Sequence, residues 1–246
     1  MILKTLGIVV KRMDYGEADR ILTVLTFNMG KVKAIAKGSR KILAKLGGHL
    51  EPFCLVDFIF HEGKSFYIVT SAVVQNHFKK VHSDIDKTAK AFYIGELLDK
   101  FLEENENHPE VFELFVKYLE NLESADDPIL IPVFSAKILE ALGFKPEVSE
   151  CLHCREKLQP VQNYWDDIEG GVICQKCHNK FGHGREIEND TIKILRLIFS
   201  PAFHIGSRLN IADEFKNQTA AVLESYIEGV LERELKSKKF MKDMSR

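Results

Sequence analysis

Over roughly the first 75 residues the hydrophobic positions recur at short, strand-like intervals. Leu6 to Met13, Arg20 to Phe27, Lys31 to Lys37, Phe53 to His61 and Phe66 to Val74 are rich in Val, Ile, Phe, Thr and Tyr. They predict five strands. The breaks between them carry turn chemistry: Asp14-Tyr15-Gly16, Asn28-Met29-Gly30, Gly47-Gly48 and Glu62-Gly63-Lys64. Five short strands, with a longer excursion between the third and fourth, predict a small closed barrel. The oligonucleotide-binding (OB) barrel is the common five-stranded form, and an SH3-like barrel or a small sandwich has nearly the same pattern.

From about Asp84 the period becomes helical. Phe92, Leu97, Leu98, Phe101 and Leu102 are spaced to share one apolar face, and Phe112, Phe115, Leu119 and Leu122 make a second after Pro109. Asp127-Pro128 reads as a cap and first-turn proline, with the regular helix starting near Pro132. That helix carries Phe134, Ile138, Leu139 and Leu142 to a stop at Gly143. Asn189-Asp190 opens a helix with Ile194, Leu197 and Ile198 on its apolar face, ending at Ser200-Pro201. Asp213 to Leu235 reads as one last helix, followed by the basic tail Lys236-Ser237-Lys238-Lys239. The tail is read as solvated; complementing a helix C-terminus and touching nucleic acid are the alternatives.

A chain of 246 residues holds one large domain or two to three small ones, and 45% apolar with 10% aromatic residues is a globular composition. Met1 to Val10 is too short, and too soon followed by Lys11-Arg12, for a secretory signal, and no run of about 18 apolar residues is present. The expectation is a soluble, intracellular protein. The net charge of −2 hides an asymmetry: residues 1–80 carry 13 Lys and Arg against 6 Asp and Glu, and residues 81–246 carry 21 against 30. A basic front and acidic back suggest that a polyanion meets the front only.

The positive charge concentrates between Gly30 and Lys45, where Lys31, Lys33, Lys37, Arg40, Lys41 and Lys45 occur with no acidic residue. Lys31, Lys33 and Lys37 share one parity of a strand, so their ammonium groups are expected on one face. Such a stripe suits the backbone of a polyanion; a solvated strand face and loop is the plain alternative.

Four of the five cysteines form two C-x-x-C pairs, Cys151/Cys154 and Cys174/Cys177, with 19 residues between. Two tight turns each presenting two sulfurs supply the four tetrahedral ligands of a structural Zn2+, and four thiolates leave no open position for catalysis. His153 and His178 adjoin the pairs; each is read as exposed or supporting, with replacement of a cysteine ligand as the alternative. Cys54 reads as a small buried core residue. No Walker loop, Rossmann fingerprint, H-E-x-x-H or G-x-S-x-G is present, and turn and capping chemistry accounts for Asp14, Glu17 and Asp19. Nothing argues for chemistry on a substrate, so no enzyme is expected.

Three stretches together carry a resemblance. Tyr15-Gly16-Glu17-Ala18-Asp19-Arg20 is the first. Gly30-Lys31 through Ala36-Lys37-Gly38-Ser39-Arg40 to Leu50-Glu51-Pro52-Phe53 is the second. Leu139 through Pro146, followed by Cys151 and Cys154, is the third. In order and spacing they resemble the bacterial recombination mediators of the RecO family. The resemblance implies an α+β multidomain fold: an N-terminal five-stranded OB-fold barrel, then an α-helical domain with an inserted four-cysteine zinc module. The corresponding boundaries are 1–80 for the DNA-binding barrel, 81–150 with 178–246 for the helical domain, and 151–177 for the zinc module. It also implies binding of single- and double-stranded DNA, annealing of complementary strands, and help from RecR in exchanging single-strand-binding protein for RecA. Neither a membrane nor a small-molecule substrate is implied, and the place of action is the cytoplasm, at the nucleoid.

The positions matching the family's DNA contacts are Lys31, Lys33, Lys37, Arg40, Lys41 and Lys45, with Arg12 and Arg20 at the margin; Arg20, following Asp19, alternatively serves a structural ion pair. The loop Lys41-Ile42-Leu43-Ala44-Lys45 is more apolar than the family's usual one. Neutralising about five phosphates of a single strand predicts a salt slope of roughly −3 to −4. A zinc-ribbon transcription or RNA-binding factor is the alternative class. Against it, residues 151–177 hold four acidic and three basic side chains. A metal-dependent nucleic-acid enzyme would need a carboxylate site that the sequence does not offer.

Overall fold

The first strand explains how the barrel closes. In a computed structural model, which describes residues 1–41, 47–125, 127–207 and 210–244, β1 (Ile2–Tyr15) is long enough to serve two neighbours. Its first half pairs antiparallel with β4 (Leu55–His61), and its second half with β2 (Asp19–Thr26). A register shift between Val9 and Lys11 lets the strand bend from one partner to the other. β2 pairs with β3 (Gly30–Ala36), β4 with β5 (Tyr67–Asn76), and a short parallel pairing of β3 with β5 completes the ring. The order β1-β2-β3-β5-β4 is a closed barrel, as expected for the OB fold.

Alternation fills its centre. Val56, Phe58 and Phe60 of β4 point inward, with the two phenylalanine rings stacked 5.0 Å apart, and meet Val24, Val32 and Ala34. Cys54 is buried in the same core. Most expected strand limits shift by one or two residues, and two of the shifts matter here. β1 starts at Ile2 rather than Leu6, because its amino end pairs with His61 and Phe60. β3 ends at Ala36, so Lys37 lies in the turn that Gly38, at φ +65°, makes possible.

The chain divides into two compact units, Met1–Ala125 with Leu235–Arg246, and Asp126–Glu234. In the first, α1 (Lys79–Ser83), α2 (Ile85–Phe101) and α3 (Pro109–Ser124) follow the barrel. Asp84 caps α2 by accepting from the N–H groups of Asp86 and Lys87. Phe92 is more exposed than its predicted place on the apolar face requires; it lies edge-on to Phe53, and Tyr93, Ile94, Leu97 and Leu98 are the buried residues.

The second unit contains α4 (Leu130–Ala141), a three-stranded sheet of β6 (Asn163–Asp166), β7 (Gly171–Cys174) and β8 (Arg185–Ile187), and the helices α5 (Gln175–Phe181), α6 (Asn189–Ile198) and α7 (Asp213–Leu231). Gly143, at φ +81°, stops α4 as its composition predicts. The expected single helix to Leu235 breaks at Glu232, which takes a left-handed conformation. A further helix follows: α8 (Lys236–Met244), in the first unit, packed on α2. The tail read as solvated is therefore helical as far as Met244, and Glu96 accepts from the backbone N–H groups of Lys236 and Ser237 at its start. No described helix is long and apolar enough to cross a membrane.

Candidate nucleic-acid interface and metal centre

The basic stretch has no acid in sequence, but acids from other elements reach part of it. Lys31 is 7% exposed, and its ammonium bonds to the carbonyl oxygen of Asp99 at 2.5 Å and to the Asp99 carboxylate at 3.4 Å. The last carbonyls of a helix lack intrahelical partners and carry partial negative charge, so the C-terminal end of α2 holds this lysine. Lys31 therefore does not share an open face with Lys33 and Lys37, as strand parity predicts. Lys33 is exposed and ion-paired with Glu104, whose hydrogen bond raises the lysine's pKa.

Gly30, at the tip of the β2–β3 hairpin, shows how tightly the residues from 104 to 107 lie against β3. A side chain there would begin 1.9 Å from the carbonyl oxygen of Glu106, and the Gly30 N–H donates to Asn107 Oδ1.

Arg12 pairs with Glu51 at 2.5 Å. Arg20 faces Asp14 across β1 and β2, with 3.5 Å between guanidinium and carboxylate, which is the structural ion pair weighed above. Asp14 also reaches Arg40 at 3.5 Å, and Arg40 donates to the carbonyl oxygen of Gly16. Lys37 and Lys41 are exposed and form no ion pair with a described residue. Lys45 lies outside the described residues.

The turn carrying Lys37, Arg40 and Lys41 is internally braced. Asp19 accepts from the Gly38 N–H at 2.7 Å, the Arg40 N–H donates to the Ala18 carbonyl, and the buried Ser39 hydroxyl donates to the Ala36 carbonyl. Asp19 thus has the turn role its residue type suggests. Tyr15 is half exposed at the neighbouring β1–β2 hairpin; its sequence pattern marks a turn but does not distinguish an exposed tyrosine from a core one. Phe58 and Phe60, by contrast, are fully inside.

The four cysteines converge. All four sulfurs lie within 4.8 Å of one another, with Cys154 and Cys174 Sγ 3.8 Å apart. The edge of a tetrahedral tetrathiolate site with bonds of about 2.3 Å is about 3.8 Å, so the donor set and spacing suit a metal ion. Cys151 follows the chain out of α4, Cys174 ends β7, and Cys177 lies in α5. Burial would push the Cys151 thiol up, but backbone N–H groups of Cys174, Cys154 and His153 outweigh it and bring the pKa to about 6. Burial and the adjoining sulfurs push Cys177 up to about 12. The backbone thus favours the thiolate at Cys151, and the sulfurs around it disfavour a second one at Cys177.

Neither adjoining histidine replaces a cysteine. His178 stacks flat on Tyr164 at 3.4 Å and donates from Nδ1 to the His183 carbonyl. His153 faces His183.

Comparison with known proteins agrees with this architecture. Residues 1–78 match the family model "Recombination protein O N terminal", and residues 82–239 match "Recombination protein O C terminal". A protein of Dehalococcoides mccartyi named DNA repair protein RecO is 35% identical over 95% of this chain and 92% of its own length. Proteins of the same name from Bacillus pumilus and Clostridium perfringens are each 31% identical, over 99% and 96% of this chain and 95% and 96% of their own. With both terminal models matched along one continuous barrel-and-helix chain, the protein belongs to the RecO family of DNA repair proteins.

Proposed function

We propose that the chain is a non-enzymatic mediator of recombinational repair that binds single- and double-stranded DNA through the basic end of its barrel. The reading is carried by one observation: an exposed, hydrogen-bonded turn presents Lys37 and Lys41, neither paired with an acid among the described residues, with Arg40 between them. Annealing needs two mutually repelling strands held close with base edges free. Cations spread over a barrel surface neutralise phosphates of both strands and release their counterions without reading sequence. With Lys31 bonded to Asp99, Lys33, Lys37, Arg40 and Lys41 are the described cations of the stretch that serve. About four phosphates of a single strand then give a salt slope of roughly −3. Tyr15 at the neighbouring hairpin offers a ring for a base to stack on.

In the same reading the barrel, residues 1–80, carries the DNA contact, and the helical residues 81–150 and 178–246 carry contacts with RecR and single-strand-binding protein. RecA is loaded on the strand so cleared, in the cytoplasm at the nucleoid. Residues 151–177 form a module ordered by Zn2+. Zinc is the ion that four cysteines at this spacing favour, and bound there it supplies charge balance and cross-linking.

The test is annealing of complementary oligonucleotides by the purified chain over a range of salt. Annealing that is fast in dilute buffer and falls steeply with salt, without nucleotide or divalent metal, supports the proposal. No acceleration over protein-free strands in dilute buffer overturns it.

A further inference from the structure

A second donor cluster lies beside the cysteine quartet. His183, in the loop between α5 and β8, donates from Nδ1 to Asp166 Oδ2 at 2.6 Å. Asp166 is buried, and its other oxygen accepts from the N–H groups of Ile168 and Glu169 at 2.8 and 2.9 Å. The carboxylate is therefore fixed, and it fixes the tautomer of His183: the lone pair of the neutral ring is on Nε2. That lone pair faces Nε2 of His153 at 3.2 Å, with the ring planes at 87° and His153 packed against Phe181.

Two imidazoles on one tetrahedral ion, with bonds of about 2.0–2.1 Å, hold their nitrogens about 3.3 Å apart. A carboxylate behind the far nitrogen is the support that metal-binding histidines ordinarily receive.

We propose that His153 and His183 form a second metal site, separate from the tetrathiolate, for a borderline first-row cation such as Zn2+, Ni2+ or Cu2+. Asp166 orients His183, and water completes the coordination. With their ring protons on Nδ1, both histidines turn an Nε2 lone pair to the ion. With two protein ligands against four, this site fills after the cysteine site.

The experiment is calorimetric titration of Zn2+ into the full chain already holding one equivalent. A second, weaker equivalent is expected. His183→Gln and His153→Gln should each weaken it at least tenfold while the first equivalent stays, and Asp166→Asn should weaken it about 10- to 100-fold. His108→Gln, outside the cluster, should leave it unchanged. If His153→Gln also disturbs the cysteine turn and loses the first equivalent, His183→Gln decides. A wild-type chain that takes one equivalent only, or a second equivalent that survives His183→Gln, overturns the proposal.

Discussion

The ammonium of Lys31 lies 2.5 Å from the backbone carbonyl oxygen of Asp99, at the last turn of α2. The same device recurs at the end of α3, where the buried Lys87 donates to the carbonyl oxygen of Leu122 at 2.7 Å. Both lysines satisfy helix carbonyls that would otherwise lack partners. Among the described residues, the cations of the basic stretch therefore divide into Lys31, bonded within the fold, Lys33 and Arg40, exposed but ion-paired, and Lys37 and Lys41, which pair with no described acid. Lys31→Ala should destabilise the first unit by about 2 kcal/mol, the scale of a charge-assisted hydrogen bond, and leave the salt slope of DNA binding unchanged. Lys37→Ala and Lys41→Ala should change stability by no more than about 0.5 kcal/mol, each lowering the slope by about 0.7 for single strands. Denaturant melts and salt titrations on the three variants separate the two classes.

Metal removal should act on the second unit. The chain's one tryptophan, Trp165, is buried in β6 and donates from Nε1 to Asp167 at 2.8 Å, so its emission reports order near the cysteine cluster. Chelation, or Cys154→Ser, should shift that emission to the red and release about one tightly held zinc per chain. DNA affinity should change less than twofold. An unshifted emission after complete zinc loss would show that the sheet holds without the ion.

His82 predicts a pH effect in the first unit. Its Nε2 donates to the Pro52 carbonyl at 2.8 Å, and its Nδ1 faces the Phe78 carbonyl at 3.1 Å. An imidazole between two acceptors is best served by carrying both protons. The contact with the Cys54 sulfur, aided by those carbonyls, outweighs burial and raises its pKa to about 9. A raised folded-state pKa gives stability that is fully present below the unfolded value near 6.5 and is lost as pH rises through about 9. Melting temperature should fall more between pH 7 and pH 10 in the wild type than in His82→Gln. Parallel curves for the two would remove this role.

Glu96 governs α8. Burial raises its pKa, but hydrogen bonds from Ser237 and Lys236 outweigh that and hold it below the usual carboxylate range. Glu96→Ala should cost about 1 kcal/mol of local stability, as loss of a helix cap does. Trypsin should then cut after Lys236, Lys238 or Lys239 several-fold faster than in the wild type. Equal cleavage rates would place the stability of α8 elsewhere.

What the sequence discloses here is mostly local. The inward residues of β4 follow a period of two, Gly143 stops α4, and the two C-x-x-C turns predict a four-sulfur cluster, because each depends on neighbours a few residues apart. Long-range partners are not visible in the same way. Asp99 is 68 positions from Lys31, so a stripe that reads as uniformly basic has one lysine removed by a helix end. α8 is too polar to announce itself, and it is held by a carboxylate 141 positions away. His183 gave no signal, because its partners Asp166 and His153 meet it only once the sheet has folded.

On the proposed function, the turn after β3 grips sugar–phosphate chains through charge. The most direct test is the slope of log affinity against log salt for single-stranded DNA, measured for the wild type and for the Lys37→Ala, Arg40→Ala, Lys41→Ala triple variant. A slope of roughly −3 that falls to about −1 in a variant of unchanged melting temperature is the predicted result. Equal slopes and equal affinities in the two proteins would contradict it.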